Sequence, residues 1–127
     1  MFRAIHLKKL PGSYAISQMP SGNSIPDWVD GEGFVSISRT ADELSLICYD
    51  ERVPKTVRSD RGWICFMFQG PFEFDAAGVL LSVLQPISEN GIGVLAISTF
   101  DGDLILLKEN DVEKAVNLLT ESGHQVE

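Results

Sequence analysis

The chain has 127 residues, 44% of them hydrophobic, which is the size and composition of one ordinary globular domain. Its net charge of −8 lies in residues 63–127, which hold 2 Lys or Arg and 10 Asp or Glu, so we expect no nucleic-acid partner. No apolar run reaches the roughly eighteen residues of a membrane span, and the first residues lack the apolar region of a signal peptide. We therefore expect a cytoplasmic protein with no membrane contact.

The first half predicts short strands and very little helix. Four apolar runs are the predicted strands: residues 2–7, 14–19, 34–39 and 43–49. Residues 25–29 predict a brief helical turn, and the polar stretch 50–58 contains Pro54 and supports two turns at most. Arg61-Gly62 is the predicted boundary between two halves, residues 1–61 and 62–127. Each half alone would bury only about 60% of its unfolded surface, so we expect a shared core or a second chain.

The second half predicts the order β-α-β-β-α-β, an α+β fold of the ferredoxin-like kind. Its predicted strands are residues 63–69, 92–100, 104–108 and 124–127. An apolar stripe from Val79 to Ile87 predicts a helix that follows an N-cap at Asp75 and stops at Asn90-Gly91. Pro86 lies inside that helix and removes the hydrogen bond to the Ser82 carbonyl. The second helix is predicted from a capping box to a terminal glycine, residues 110–123.

Residues 33–48 recur without a gap at residues 93–108. The matched pairs are Gly33/Gly93, Ile37/Ile97, Ser38/Ser98, Leu44/Leu104 and Leu46/Leu106, with a carboxylate kept at Glu43/Asp103. Each copy predicts a strand, a turn and a strand, and Asp101-Gly102 is typical of a type I′ turn. A duplicated unit favours two related halves, with a ligand bound where they meet. The alternative is a chance likeness between two amphipathic hairpins.

The sequence contains little that predicts catalysis. His6 and His124 lie in no catalytic motif, and Cys48 and Cys65 are isolated within apolar runs, where reduced and buried thiols are expected. Asp101 and Asp103 lack the further oxygen donors of a calcium loop. We therefore expect no metal, no cofactor and no enzymatic reaction. An enzyme would need Cys48 or His124 to lie in a cleft beside a polar partner.

The segment 69–79 links a predicted strand to a helix N-terminus, where unpaired N–H groups attract a carboxylate. Ala76, Ala77 and Gly78 carry little side chain, so a ligand can approach the backbone closely. The alternative is that Gly78 only allows the helix to pack closely on the sheet.

The motifs Phe74-Asp-x-x-Gly78-Val-Leu, Leu84-x-Pro86-Ile, Glu89-x-Gly91-Ile and Ile97-Ser-Thr-Phe-Asp101-x-Asp103 resemble those of an ACT domain. The resemblance is to small bacterial ACT-domain proteins of unknown role, and more distantly to CASTOR-like arginine sensors and aspartate kinase regulatory domains. Leu10-Pro-Gly-x-Tyr-Ala and Glu51-Arg-Val-Pro extend it into the first half. It thus spans most of the chain.

The resemblance implies two tandem ACT-type units with antiparallel sheets, in a non-catalytic, homodimeric regulatory protein that binds an amino acid. The ligand's carboxylate would meet the loop before the first helix, and its ammonium would meet the following strand. The implied ligand-binding residues are Asp75, Ala76, Ala77, Gly78, Val79, Ile97, Ser98, Thr99, Phe100 and Asp103. Asp103 matches an acidic position that faces the ligand in the arginine-sensing branch. A second carboxylate expected there is replaced by Ala76 or Ala77, so the side-chain preference stays open. The alternative is a structural or protein-interaction module with a decayed ligand site.

Overall fold

The computed structural model describes residues 4–69 and 78–127, which belong to two compact units. The N-terminal unit is Pro11–Trp63, and the C-terminal unit joins Met1–Leu10 to Ile64–Glu127. The strands are β1 (His6–Lys9), β2 (Tyr14–Met19), β3 (Ser36–Arg39), β4 (Leu44–Tyr49), β5 (Arg58–Phe68), β6 (Val94–Ser98), β7 (Asp103–Lys108) and β8 (Gln125–Val126). The helices are α1 (Val79–Ser88) and α2 (Val112–Glu121). The predicted α+β class is confirmed.

The N-terminal unit is an antiparallel sheet in the order β3-β4-β2-β5, to which β5 contributes its first half. Because side chains alternate along a strand, one face carries Ala15, Leu44, Leu46 and Cys48. Val29 ends a short 3₁₀ helix (Asp27–Val29) and Val53 directly follows another (Asp50–Arg52). Both valines pack on that face and complete a small core.

A bulge interrupts β5 at Arg61-Gly62, where we predicted a boundary. Tyr14 pairs with Trp63, whereas Ile16 pairs with Asp60, so β5 has one residue more than β2 at this point. Gly62 has φ 81°, the left-handed conformation that such a bulge needs. The strand predicted from residue 63 therefore begins earlier, at Arg58, because a bulge lets a polar segment stay in the sheet.

The C-terminal unit confirms the predicted β-α-β-β-α-β order, which runs from the second half of β5 to β8. In its sheet β7 pairs with both β5 and β6, and β1 lies between β5 and β8. The core joins apolar residues of this sheet to α1 and α2, including Leu7, Phe66, Ile87, Leu107 and Leu119. The further division of the chain at residues 61 and 62 into two ACT-type repeats stays a prediction.

Both helices begin later than predicted. Gly78, with φ 81°, is the N-cap of α1 and makes no side-chain capping bond, while Asp75 lies outside the described residues. The prediction of a capping box at residues 110–113 was wrong, because a 3₁₀ turn (Glu109–Asp111) precedes α2. Asp111 is thus the N-cap and makes no side-chain capping bond. The predicted stop of α1 is confirmed, since Gly91 has φ 74°.

The two repeated hairpins are both antiparallel, but their registers differ by two residues. Ile37 pairs with Leu46, whereas the matching Ile97 pairs with Leu104. The second turn spans residues 99–102 and is closed by a 2.7 Å bond from the Thr99 N–H to the Gly102 carbonyl. Neither Asp101 nor Gly102 has positive φ, so the predicted type I′ turn was wrong. Within the described residues, no helix has the length and apolar character needed to cross a membrane.

Candidate functional site

The start of α1 and the end of β6 lie at the same end of the C-terminal unit. A tight turn joins the two elements, with the Ile92 N–H bonded to the Ile87 carbonyl at 3.3 Å. The ten residues of α1 span about 15 Å, and the five residues of β6 span about 16 Å in the opposite direction. Gly78 and Ser98 are therefore brought to one end, and Asp103 joins them because it pairs with Ser98.

Ser98 and Asp103 form the polar part of this end. The Ser98 hydroxyl donates a 2.6 Å hydrogen bond to Oδ1 of Asp103. Ser98 is exposed and Asp103 is half-buried, so the carboxylate remains within reach of a ligand. A partly buried carboxylate attracts a cation more strongly than a fully solvated one, because water screens it less.

Thr99 and Phe100 follow Ser98 and lie in the turn of the hairpin. Both the N–H and the hydroxyl of Thr99 donate to the Gly102 carbonyl, at 2.7 and 3.1 Å. Both donors of Thr99 are therefore used within the turn. The Phe100 side chain is 80% exposed.

The helix start supplies main-chain groups. The Val79 side chain is buried in the core and fixes the first turn of α1, while Gly78 is exposed. Helix N-termini carry unpaired N–H groups and a partial positive charge, which favour a carboxylate. Ile97 is half-buried in β6 opposite Leu104. The predicted site residues Asp75, Ala76 and Ala77 lie outside the described residues.

The groups considered for catalysis have structural roles. Cys48 and Cys65 are free and buried, and burial raises the pKa of the Cys65 thiol to about 12. Burial also raises the pKa of Cys48, against the lowering effect of Arg52. Such thiols stay protonated at neutral pH and are poor nucleophiles. His124 is buried and bonds two main-chain groups, the Ile5 N–H and the Ser82 carbonyl, both at 3.0 Å.

The N-terminal unit contains features that sequence reasoning missed. Arg52 donates to the carbonyls of Trp28, Val29 and Glu32, and its guanidinium lies 5.3 Å from the Tyr49 ring centroid. Two open cavities also occur here, one of about 480 Å³ beside Tyr49 and one of about 360 Å³ over β2, β4 and β5. No local motif reveals them, since each is built from segments distant in sequence.

The ACT-domain family model matches residues 58–121, and a model of an N-terminal domain matches residues 12–56. No curated protein matches the chain. Among solved structures, a protein from Agobacterium tumefaciens is 52% identical, with a TM-score of 0.95 over 99% of this chain and 94% of its own. A Vibrio cholerae protein of unknown function, described as a possible transport protein, is 17% identical, with a TM-score of 0.75 over 94% and 90%.

Aspartokinase III from E. coli has the same fold in about a third of its length. In complex with aspartate and ADP it is 13% identical, with a TM-score of 0.65 over 96% of this chain and 33% of the enzyme. In complex with lysine and aspartate the TM-score is 0.52, over 94% and 32%. The ACT model covers just over half of the chain, and the β-α-β-β-α-β order of the C-terminal unit agrees with it. The chain belongs to the ACT-domain family, whose domains are regulatory.

Proposed function

We propose that this protein is a non-catalytic regulatory protein that binds an amino acid at the end of the C-terminal unit formed by Gly78, Ser98 and Asp103. The proposal rests on the topology that brings the N-terminus of α1 and the half-buried Asp103 carboxylate to the same end of the unit. Membership of a regulatory family supports it. So does aspartokinase III, a protein of the same fold whose structure holds lysine and aspartate.

The two charged groups of an amino acid match the two ends of this site. Its α-carboxylate would accept hydrogen bonds from main-chain N–H groups at the start of α1, where the helix dipole is favourable. Its ammonium would donate to Asp103 and to main-chain carbonyls at the end of β6. The remaining predicted residues would line the site: Asp75, Ala76, Ala77, Val79, Ile97, Thr99 and Phe100.

Regulation requires that the ligand bind one state of the protein more tightly than another. We propose that the protein is a homodimer and that ligand binding changes its dimer geometry or its affinity for a partner. Two free and buried cysteines are consistent with a reducing compartment, and we propose a cytoplasmic location.

Isothermal titration calorimetry against each of the twenty amino acids tests this proposal. We expect heat from at least one of them at millimolar concentration, and an affinity about 10-fold lower in Asp103→Asn, since a charged hydrogen bond is lost. Asp101→Asn is the matched control, because it removes the same charge from the exposed turn two residues away. Equal affinity in both variants would exclude Asp103 from the site.

One observation favours a second candidate, a structural or protein-interaction module with a decayed site. The polar groups of the hairpin already satisfy one another, through the bonds from Ser98 to Asp103 and from Thr99 to Gly102. On this account no amino acid would give heat, while the protein would still form a dimer. Analytical ultracentrifugation beside the calorimetry separates the two candidates.

A further inference from the structure

We propose that the N-terminal unit holds a second site for a small zwitterion such as an amino acid, in the cavity over β2, β4 and β5. The cavity has a volume of about 360 Å³, within the range of small-molecule sites. Charged side chains of both signs line it, namely Arg58, Glu43 and Asp60. The proposal is independent of the site at Asp103, which lies in the other unit.

Three strands present their polar side chains on one face. Gln18 pairs with Ser45 on one side and with Arg58 on the other, and Ile16 pairs with Asp60. Cross-strand partners point to the same face of a sheet, as do residues two apart on one strand. Glu43 belongs to the same group, because its Oε1 lies 3.5 Å from Nε2 of Gln18.

The bulge in β5 is what puts Arg58 and Asp60 on this face. Without the extra residue, the pairing of Tyr14 with Trp63 would continue so that Ser59 opposed Gln18. A one-residue shift sends every side chain to the other face of a sheet, and Arg58 and Asp60 would then point away. Asp50 holds the bulge, since its carboxylate accepts from Nη1 of Arg61 at 2.6 Å and from the Gly62 N–H at 3.2 Å.

On the opposite face of the sheet, the shifted register brings two serine hydroxyls into contact. Ser17 and Ser59 are cross-strand partners there, and their hydroxyls lie 2.8 Å apart, with Ser17 only 2% exposed. The Ser59 hydroxyl also donates to the Val57 carbonyl at 3.1 Å. The floor beneath the charged groups is therefore tied by its own hydrogen bonds, which keeps the positions of Arg58 and Asp60 fixed.

The arrangement of charge selects a zwitterion over a simple ion. Within the described part of the chain the Arg58 guanidinium has no ion-pair or hydrogen-bond partner, and its planar fork matches a carboxylate. Glu43 and Asp60 already accept from Nε2 of Gln18 and Nε1 of Trp63, and the remaining lone pairs of the two carboxylates can accept from an ammonium. Two carboxylates repel an anion, and the guanidinium repels a metal ion, whereas a molecule with both charges matches the sign of all three groups. Strand spacing puts the Cα atoms of Ser45 and Arg58 about 10 Å apart, which leaves room for an amino acid above Gln18.

The test is NMR titration of the ¹⁵N-labelled protein with each of the twenty amino acids, at up to about 10 mM. We expect at least one of them to shift the amide signals of residues 16–18, 43–45 and 58–60. Arg58→Gln should weaken that binding about 10-fold or more, as a charged hydrogen bond is lost. Lys55→Gln, which removes an exposed positive charge outside the cavity, should change it less than about 2-fold.

Derivatives of the amino acid that binds test the zwitterion itself. Its N-acetyl form lacks the ammonium and its amide form lacks the carboxylate, so both should bind about 10-fold more weakly. The proposal is overturned if no amino acid shifts these signals, if Arg58→Gln binds as the wild type does, or if either derivative binds equally well. Asp103→Asn should leave the shifts of residues 16–18, 43–45 and 58–60 unchanged, because Asp103 belongs to the other unit. If an amino acid shifts the signals of residues 16–18, 43–45 and 58–60 but not those of residues 78–82 and 97–103, the site at Asp103 is refuted and the site at Arg58 is retained.

Discussion

Nε2 of His124 lies 3.0 Å from the Ser82 carbonyl, which is the carbonyl that Pro86 leaves without its helical donor. A carbonyl only accepts, so Nε2 carries a proton, and Nδ1 is then the acceptor of the Ile5 N–H at 3.0 Å. The buried imidazole thus joins Ile5, the residue before β1, to α1 and gives the Ser82 carbonyl a donor in place of the one that Pro86 lacks.

Replacing His124 should therefore destabilise the protein. His124→Ala leaves a cavity and two buried main-chain groups without partners, and we expect a loss of roughly 2–4 kcal/mol in the free energy of unfolding, measured by urea denaturation. His6→Ala is the control, because His6 is exposed on β1 and should change stability by less than about 0.5 kcal/mol. Similar values for the two variants would contradict the role given to His124.

The matched glycines of the sequence repeat should respond oppositely to alanine. Gly33 has φ 82°, and a Cβ atom there would lie 2.6 Å from Cζ of Tyr49, so Gly33→Ala should cost roughly 2–4 kcal/mol through backbone strain and overpacking. A Cβ atom on Gly93 would meet nothing within 4 Å. Gly93→Ala should leave stability unchanged or raise it by about 0.4–1 kcal/mol. Thermal denaturation of both variants measures the contrast, and equal losses would refute it.

The bulge in β5 should depend on Asp50. Its ion pair with Arg61 is partly exposed, since 34% of the Arg61 side chain and 26% of the Asp50 side chain are accessible to solvent. We therefore expect Asp50→Ala to lower the free energy of unfolding by about 1–2 kcal/mol, which is less than the loss of a buried pair would cost. The more specific readout is hydrogen exchange, which should become faster at the amides of residues 58–62. Glu51→Ala is the control, since Glu51 is exposed and adjacent. Unchanged exchange in Asp50→Ala would show that the bulge does not need the carboxylate.

The buried thiol of Cys65 should make stability fall at alkaline pH. Its pKa is raised by burial from an ordinary 9.0 to about 12, so the folded state keeps a proton that the unfolded state loses. The stabilisation is complete below pH 9 and decreases as pH rises toward 12, by up to about 1.4 kcal/mol per pH unit. The difference in unfolding free energy between wild type and Cys65→Ala should shrink accordingly between pH 9 and 11. A constant difference would contradict this linkage.

Local patterns in the sequence predicted the strands, the helices and the order β-α-β-β-α-β, because hydrophobic periodicity depends on neighbouring residues. The apolar stripe from Val79 to Ile87 is the clearest case. The same patterns failed at Arg61-Gly62 and at residues 110–113. A bulge that depends on Asp50, and a helix start set by a preceding 3₁₀ turn, are decided by contacts that a local reading does not contain.

The residues of the candidate sites were likewise predicted only in part. The resemblance selected Ser98 and Asp103, which the structure brings into contact, but it did not show that Thr99 uses its donors within the turn. The positions of Glu43, Arg58 and Asp60 around one cavity require the pairing of β5 with β2, and no motif in the sequence encodes that register. Long-range strand pairing cannot be read from local patterns in a single sequence.

A crystal structure of the protein soaked in a mixture of amino acids at about 10 mM tests the central claim most directly. We predict electron density for one amino acid at the end of the C-terminal unit, with its ammonium within hydrogen-bond distance of Asp103 and its carboxylate at the N–H groups that begin α1. An empty end at that concentration, or a ligand with its carboxylate against Asp103, would contradict the account.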